Sequence, residues 1–257
     1  MSGYYFKADG LSVGYNGMPV VSKLDFGIEK GKILSLIGPN GAGKSTVLKS
    51  IARQLSVVAG CVYLDDANLL EMSAKEVSTK MAVLLTERLR GEMMTCGDVV
   101  GTGRYPYTGY FGVLGEEDKR AVKNAMELVK VADLMDRDFS EISDGQRQRV
   151  MLARAIAQDP EIIILDEPTS FLDIRHKLEF LSVLEKMKEE KNVTVIMSMH
   201  ELDLVGKISD RILCLKGEYA DRFGTPEEVM EKEYIRELFG IDEEMKAFAE
   251  QKGIEII

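Results

Sequence analysis

Three short apolar runs punctuate the chain, at residues 33–37, 162–165 and 193–198. Runs this brief and this continuous predict strands covered on both faces, as in a parallel sheet. Residues 6–15 also read as a strand, followed by a turn at Asn16-Gly17 and a second strand from Val20-Val21 toward Ile28. Residues 60–66 and 81–86 predict two further strands. From about 88 to 159 the period lengthens to that of a helix. Residues 96–100 open one helix, 116–131 form a longer amphipathic one and 150–158 a third. A fourth helix covers 176–190. Residues 211–221 predict a hairpin leading into a small helix at 225–228, and 234–239 continue as helix. The charged tail after Ile241 carries no pattern, and no internal repeat is present.

The first buried run leads directly into Gly38-Pro39-Asn40-Gly41-Ala42-Gly43-Lys44-Ser45, followed by Thr46. This fits the spacing G-x-x-x-x-G-K-[ST] in the strand–loop–helix context that the motif requires. Glycines let the backbone wrap closely, so that successive N–H groups face a phosphate. The helix that follows adds its positive end. Lys44 is placed to reach the outer phosphates, and Ser45 to put its hydroxyl on Mg²⁺. A glycine turn that binds nothing has no use for Lys-Ser at that point.

The second buried run ends in Asp166-Glu167. Neighbouring strand residues point to opposite faces, so the two carboxylates cannot share one task. One suits the Mg²⁺ and the other the attacking water. The third run ends near His200, where open α/β sheets gather catalytic groups; the other histidine, His176, sits early on a charged helix. Tyr15 reads either as a core aromatic or as a ring that stacks on a purine. Gly101-Thr102-Gly103-Arg104-Tyr105-Pro106-Tyr107 resembles the start of a dinucleotide fingerprint, but Pro106 replaces its third glycine and no strand precedes it. That reading fails.

Composition narrows the class. The 257 residues suit one large domain or two small lobes, and 45% hydrophobic with 30% charged content is ordinary for a soluble protein. The net charge of −10 argues against a broad nucleic-acid footprint. Cys61, Cys96 and Cys214 match no metal spacing and point to a reducing compartment. The first residues lack the regions of a signal peptide, and no run approaches the roughly 18 apolar residues of a membrane span. A membrane role therefore requires a partner.

Ser143-Asp144-Gly145-Gln146 opens the 150–158 helix, with Ser143 and Gln146 spaced as a capping box. Capping alone accounts for these residues. The order of motifs adds meaning: phosphate loop, helical insert, Ser-x-Gly-Gln helix start, Asp-Glu strand end, histidine. Over nearly its full length the chain resembles an ATP-binding-cassette (ABC) ATPase subunit. Gln148-Arg149-Val150-Met151-Leu152-Ala153-Arg154-Ala155 matches the run after the family signature, and Ser170-Phe171-Leu172-Asp173 its D-loop. Residues 103–107 are similar to a segment of importers of iron-siderophore, haem and vitamin B12 type. The implied fold is α/β: a P-loop NTPase core, mainly parallel sheet flanked by helices, with an N-terminal antiparallel β subdomain and an inserted helical subdomain. The expected division is 1–87 with 160–240 for core and β subdomain, 88–159 for the helical subdomain, and 241–257 as a tail.

The resemblance further implies a head-to-tail homodimer with ATP between Gly38–Thr46 of one subunit and Ser143–Gln146 of the other. Tyr15 then stacks on adenine, Lys44 and the loop amides hold phosphates, and Ser45 and Asp166 hold Mg²⁺. Glu167 polarises water, His200 senses the γ-phosphate, and Asp173 couples the two sites. Integral membrane permease subunits, and indirectly an extracytoplasmic substrate-binding protein, are the expected partners. Nucleic acid is not. The expected location is the cytoplasmic face of the membrane, held there through the permease. The alternative is a soluble cassette ATPase acting as a scaffold, as in iron-sulfur cluster assembly.

Two positions depart from the family pattern. Asp144 replaces the first signature glycine. A carboxylate about 4 Å from a phosphate charge costs on the order of 4 kcal/mol at an effective dielectric near 20, against a gain of ~0.3–1 kcal/mol at a helix N-terminus. Asp144 is therefore expected to point away from the nucleotide, leaving the contact to Ser143 and Gly145. Glu87 stands where the family has its Q-loop glutamine. A hard cation accepts either oxygen, so Glu87 is expected to act behind the metal or in coupling to the membrane subunits.

Overall fold

The computed structural model describes residues 3–85, 93–109, 112–170 and 172–253. The chain begins with β1 (Phe6–Tyr15), β2 (Met18–Ile28), β3 (Ile33–Ile37), α1 (Lys44–Ile51), β4 (Val57–Leu64) and the two-residue β5 (Ala67–Asn68). It continues through α2 (Ala74–Lys80), β6 (Met81–Leu84), α3 (Cys96–Gly101), α4 (Glu116–Leu128), α5 (Asp144–Ala157), β7 (Ile162–Asp166) and α6 (Ile174–Lys191). The last elements are β8 (Thr194–Ser198), α7 (Leu202–Ile208), β9 (Arg211–Lys216), β10 (Tyr219–Gly224), α8 (Pro226–Val229), α9 (Lys232–Leu238) and α10 (Glu243–Lys252). Two compact units result, Met1–Leu70 with Ile196–Ile257, and Glu71–Val195.

In the first unit an antiparallel sheet runs in the order β2-β1-β4-β5. Asn16 (φ 52°) and Gly17 (φ 77°) turn the β1–β2 hairpin, both in the left-handed region that a tight two-residue hairpin demands. Every residue of β3 is buried. That strand lies parallel to β9, pairing Leu34 with Arg211 through Ile37 with Cys214, and β10 extends β9 antiparallel. Buried Ser35 satisfies its hydroxyl against Ser209 Oγ at 2.7 Å. Asp210 Oδ2 accepts from the Ile33 N–H at 2.8 Å, fixing where β3 begins. The Ser22 N–H donates to the Glu218 carbonyl at 2.8 Å, tying the antiparallel sheet to the β9–β10 turn.

In the second unit β6 lies parallel to β7, from Met81 opposite Ile162 to Leu84 opposite Leu165. Helices α3, α4 and α5 pack on one another, burying Val99, Val100, Val122, Met126, Val150 and Leu152. Helix α6 starts on its N-cap Asp173 and ends at Asn192 in the left-handed region. Its buried Phe180, Leu181, Leu184 and Met187 recur at helical spacing.

The 101–107 segment is no nucleotide loop. It tightens into a 3₁₀ turn, Thr102–Tyr107, at the end of α3. Arg104 is buried there, with Nε donating to Asp118 Oδ1 at 2.9 Å and Nη1 to the Ala157 carbonyl at 2.9 Å. Its guanidinium lies 4.1 Å from the centre of the Tyr107 ring. The Arg104 hydrogen bond holds the Asp118 carboxyl below the usual carboxylate range. A side chain at Gly103 would run into the Arg154 carbonyl, so glycine is required for the close approach of α5. The segment thus clamps α3, α4 and α5 together.

Candidate functional site

The phosphate loop belongs to the first unit. Gly38 (φ 147°) leaves β3 where any Cβ would meet the Leu215 carbonyl oxygen. Gly43 (φ 89°) is the N-cap of α1 and supplies no capping side chain. The N-cap residue thus places no side chain over the amides of the first turn, which suits a helix start that receives an anion. Lys44 is only 5% exposed. Its Nζ donates to the Gly38 carbonyl at 2.7 Å and the Pro39 carbonyl at 3.0 Å, which holds the ammonium across the mouth of the loop.

Two more sequence-predicted residues join this loop. Tyr15, at the end of β1, is 49% exposed, and its hydroxyl lies 3.5 Å from Thr46 Oγ1. The half-exposed ring is free to stack, so it is not the core aromatic of the alternative reading. The Met199 N–H donates to the Leu36 carbonyl at 3.2 Å, which places the turn carrying exposed His200 beside the C-terminal end of β3. Ser45 and Thr46 follow on the first turn of α1.

The second unit carries the acidic strand end and the capped helix start. All of β7 is buried through Asp166, itself 3% exposed. Glu167 then adopts φ 48°. A non-glycine residue in the left-handed region costs on the order of 1–2 kcal/mol, and such strain persists where neighbouring contacts enforce it. Ser170 Oγ donates to Glu167 Oε2 at 3.2 Å. Ser143 caps α5, its Oγ accepting from the Gln146 N–H at 3.3 Å while Gln146 Oε1 accepts from the Ser143 N–H at 3.0 Å. Asp173 accepts the His176 N–H at 2.9 Å, and its other oxygen lies 2.9 Å from His176 Nδ1. The backbone N–H of His176 is the main reason the Asp173 carboxyl titrates below its usual range. The sequence left His176 as a charged-helix residue; an Asp-x-x-His spacing at a helix start was the signal for this contact. Glu87 lies outside the described residues.

Asp144 is turned toward its own helix. Its Oδ1 accepts from Arg147 Nη1 at 2.9 Å, with the carboxylate 63% exposed, and the Arg147 guanidinium lies 5.5 Å from the centre of the Phe139 ring. An exposed pair of this spacing stabilises a helix by only ~0.2–0.5 kcal/mol, but it occupies the carboxylate and offsets its charge. Asp144→Gly should therefore change ATP affinity and turnover by less than tenfold, as titration calorimetry and a phosphate-release assay would read. A larger gain in either would mean that the carboxylate faces the nucleotide.

Among the described residues no three His, Cys, Asp or Glu side chains gather as a metal site. Mg²⁺ needs none when phosphates supply most of its oxygens, with one or two protein donors completing the set. The Ser45 hydroxyl and the buried Asp166 carboxylate are oxygen donors of that kind.

A buried parallel strand feeding a glycine loop and an uncapped helix start defines a P-loop nucleotide-binding protein. Residues 21–170 match the family model described as ABC transporter. The chain belongs to the ABC transporter family. It is 43% identical over 235 residues to an uncharacterized ABC transporter ATP-binding protein of Methanocaldococcus jannaschii, covering 91% of this chain and 81% of that protein. It is 39% identical to the iron(3+)-hydroxamate import ATP-binding protein of Bacillus subtilis, covering 91% and 87%. To the ferric enterobactin transport ATP-binding protein of Escherichia coli it is 32% identical, again covering 91% and 87%. Among solved structures it resembles an inward-facing putative metal-chelate type ABC transporter, with a TM-score of 0.81, 26% identity and coverage of 92% and 89%. A dimeric ATP-binding cassette bound to ADP and Pi aligns with a TM-score of 0.76, 25% identity and coverage of 86% and 98%.

Proposed function

We propose that this chain is the ATP-hydrolysing motor of an importer for an iron chelate, working as a head-to-tail pair beneath membrane permease subunits. The observation that carries the motor reading is the loop itself, where Lys44 is held by the Gly38 and Pro39 carbonyls beside an uncapped α1. On ATP binding, Lys44 exchanges those carbonyls for phosphate oxygens, and the α1 amides close on the same group. Tyr15 stacks on the base. The capped start of α5, Ser143 to Gln146, meets the nucleotide held by the other copy, so neither copy is complete alone. Glu167 polarises water for in-line attack, His200 contacts the outer phosphate, and Asp173 reaches across to the second site. Ser45 and Asp166 would hold Mg²⁺, which neutralises phosphate charge when bound.

The iron-chelate cargo is supported by relatives that carry siderophore-import names over nine-tenths of this chain. The motor does not itself select the cargo; the permease and an external binding protein do so. No helix among the described residues is long and apolar enough to cross a membrane, and a place at the membrane face then rests on those permease subunits. Co-expression with siderophore-type permease subunits, followed by reconstitution in vesicles, tests the reading. The expected result is a co-purifying complex with ATP-dependent uptake of a ferric hydroxamate. Co-purification with soluble cluster-assembly proteins, without any permease complex, would support the scaffold alternative instead.

A further inference from the structure

Gln148 lies on the second turn of α5, beyond the Ser143–Gln146 turn, and none of the roles above uses it. Its Nε2 donates to the Pro168 carbonyl at 2.9 Å in a partly buried setting. Pro168 is the residue after Glu167, whose backbone stands at φ 48°. The same stretch is held from its other side, where the Ser170 N–H donates to the Glu167 carbonyl at 3.3 Å. A Cβ at Gly145 would stand 3.6 Å from Leu172 Cδ2, so the helix start and the residues after Glu167 are in close apposition. One hydrogen bond thus links the second turn of α5 to the residue that follows Glu167, within this unit.

We propose that Gln148 is a positioning residue for hydrolysis: its hydrogen bond to Pro168 holds the strained Glu167 backbone and ties it to the helix that begins at Ser143. The proposal rests on the reading of Glu167 as the residue that polarises water. Proline has no N–H to anchor itself, so α5 holds the residue after Glu167 by its carbonyl, on the Pro168-Thr169 peptide. A carboxylate displaced by about 1 Å loses its alignment with the water, at a cost on the order of a hundredfold in rate. The same helix presents Ser143 to the nucleotide of the other copy. Engagement there is therefore transmitted, through a stiff helix and one hydrogen bond, to the hydrolytic carboxylate of its own copy.

The test compares Gln148→Ala, Gln148→Glu and Gln148→Lys in the full chain, measuring ATP turnover, the KM for ATP and the thermal midpoint. Alanine and glutamate both remove the donor, whereas lysine keeps one on a stem that reaches the same carbonyl. Turnover should fall about ten- to a hundredfold in the first two, with KM and midpoint unchanged, and lysine should restore most of it. Parent-like turnover in Gln148→Ala would overturn the proposal. So would a parallel loss of KM, midpoint and rate that lysine does not repair. Glu167→Gln is run alongside. If it turns over ATP at the parent rate, the underlying reading fails; if it is silent while Gln148→Ala is normal, only the role of Gln148 fails.

Discussion

Replacing Glu167 with glutamine should reduce ATP turnover by about a hundred- to ten-thousandfold, the span that a general base contributes. The substitution keeps side-chain length and removes only the charge and the proton acceptor. Glutamine can still accept the Ser170 hydroxyl, now 3.2 Å from Glu167 Oε2, so the local geometry survives. ATP binding should be retained or tightened, because one negative charge beside the phosphates is gone. The variant is then expected to accumulate as an ATP-bound dimer. Size-exclusion chromatography with ATP and Mg²⁺, set against the ADP sample, reads that directly. Turnover at the parent rate would remove Glu167 from its role.

Lys44→Ala carries the second large effect. The ammonium is buried and already makes two charge-assisted contacts to loop carbonyls. Hydrogen bonds to charged groups are worth roughly 1.5–3 kcal/mol each, and one such contact to phosphate corresponds to about ten- to a hundredfold in affinity. Alanine should weaken ATP at least that much, and more if Lys44 bridges two phosphates. Its truncation also leaves the Gly38 and Pro39 carbonyls without this donor, so the nucleotide-free loop should loosen. Titration calorimetry measures the affinity, and amide hydrogen exchange of residues 38–44 measures the loosening. An affinity within threefold of the parent would show that the backbone amides alone hold the phosphates.

The two variants act on different steps. Lys44→Ala should prevent nucleotide-driven pairing, whereas Glu167→Gln should arrest the pair once formed. A double variant should behave like Lys44→Ala, because binding precedes hydrolysis. The opposite order of effects would contradict the assignment of both residues.

Much of this was legible in the chain wherever the deciding interaction is local. Strand β3, the glycine loop and the start of α1 follow from an apolar run, positive-φ glycines and a helix start within fourteen residues. The Ser143–Gln146 capping box is likewise a contact across three residues. Helix α2 carries the same kind of local signal, a capping box of Ser73 and Glu76. Helix α10 gave less warning: the tail beyond Ile241 has no clear apolar stripe, and among its described residues only Ala249 is buried.

Sequence by itself thus determined the phosphate loop, the acidic strand end, the capped signature turn and the family to which they belong. Tertiary structure decided which way Asp144 turns, that Arg104 is a buried clamp, and how the Glu167 backbone is bent and held. The physical reason is reach. Capping and strand burial are set by neighbours a few residues away, whereas Arg104 meets Ala157 53 residues on and Gln148 meets Pro168 across 20. Such partners exist only after the chain has folded back upon itself, and no period or spacing announces them beforehand.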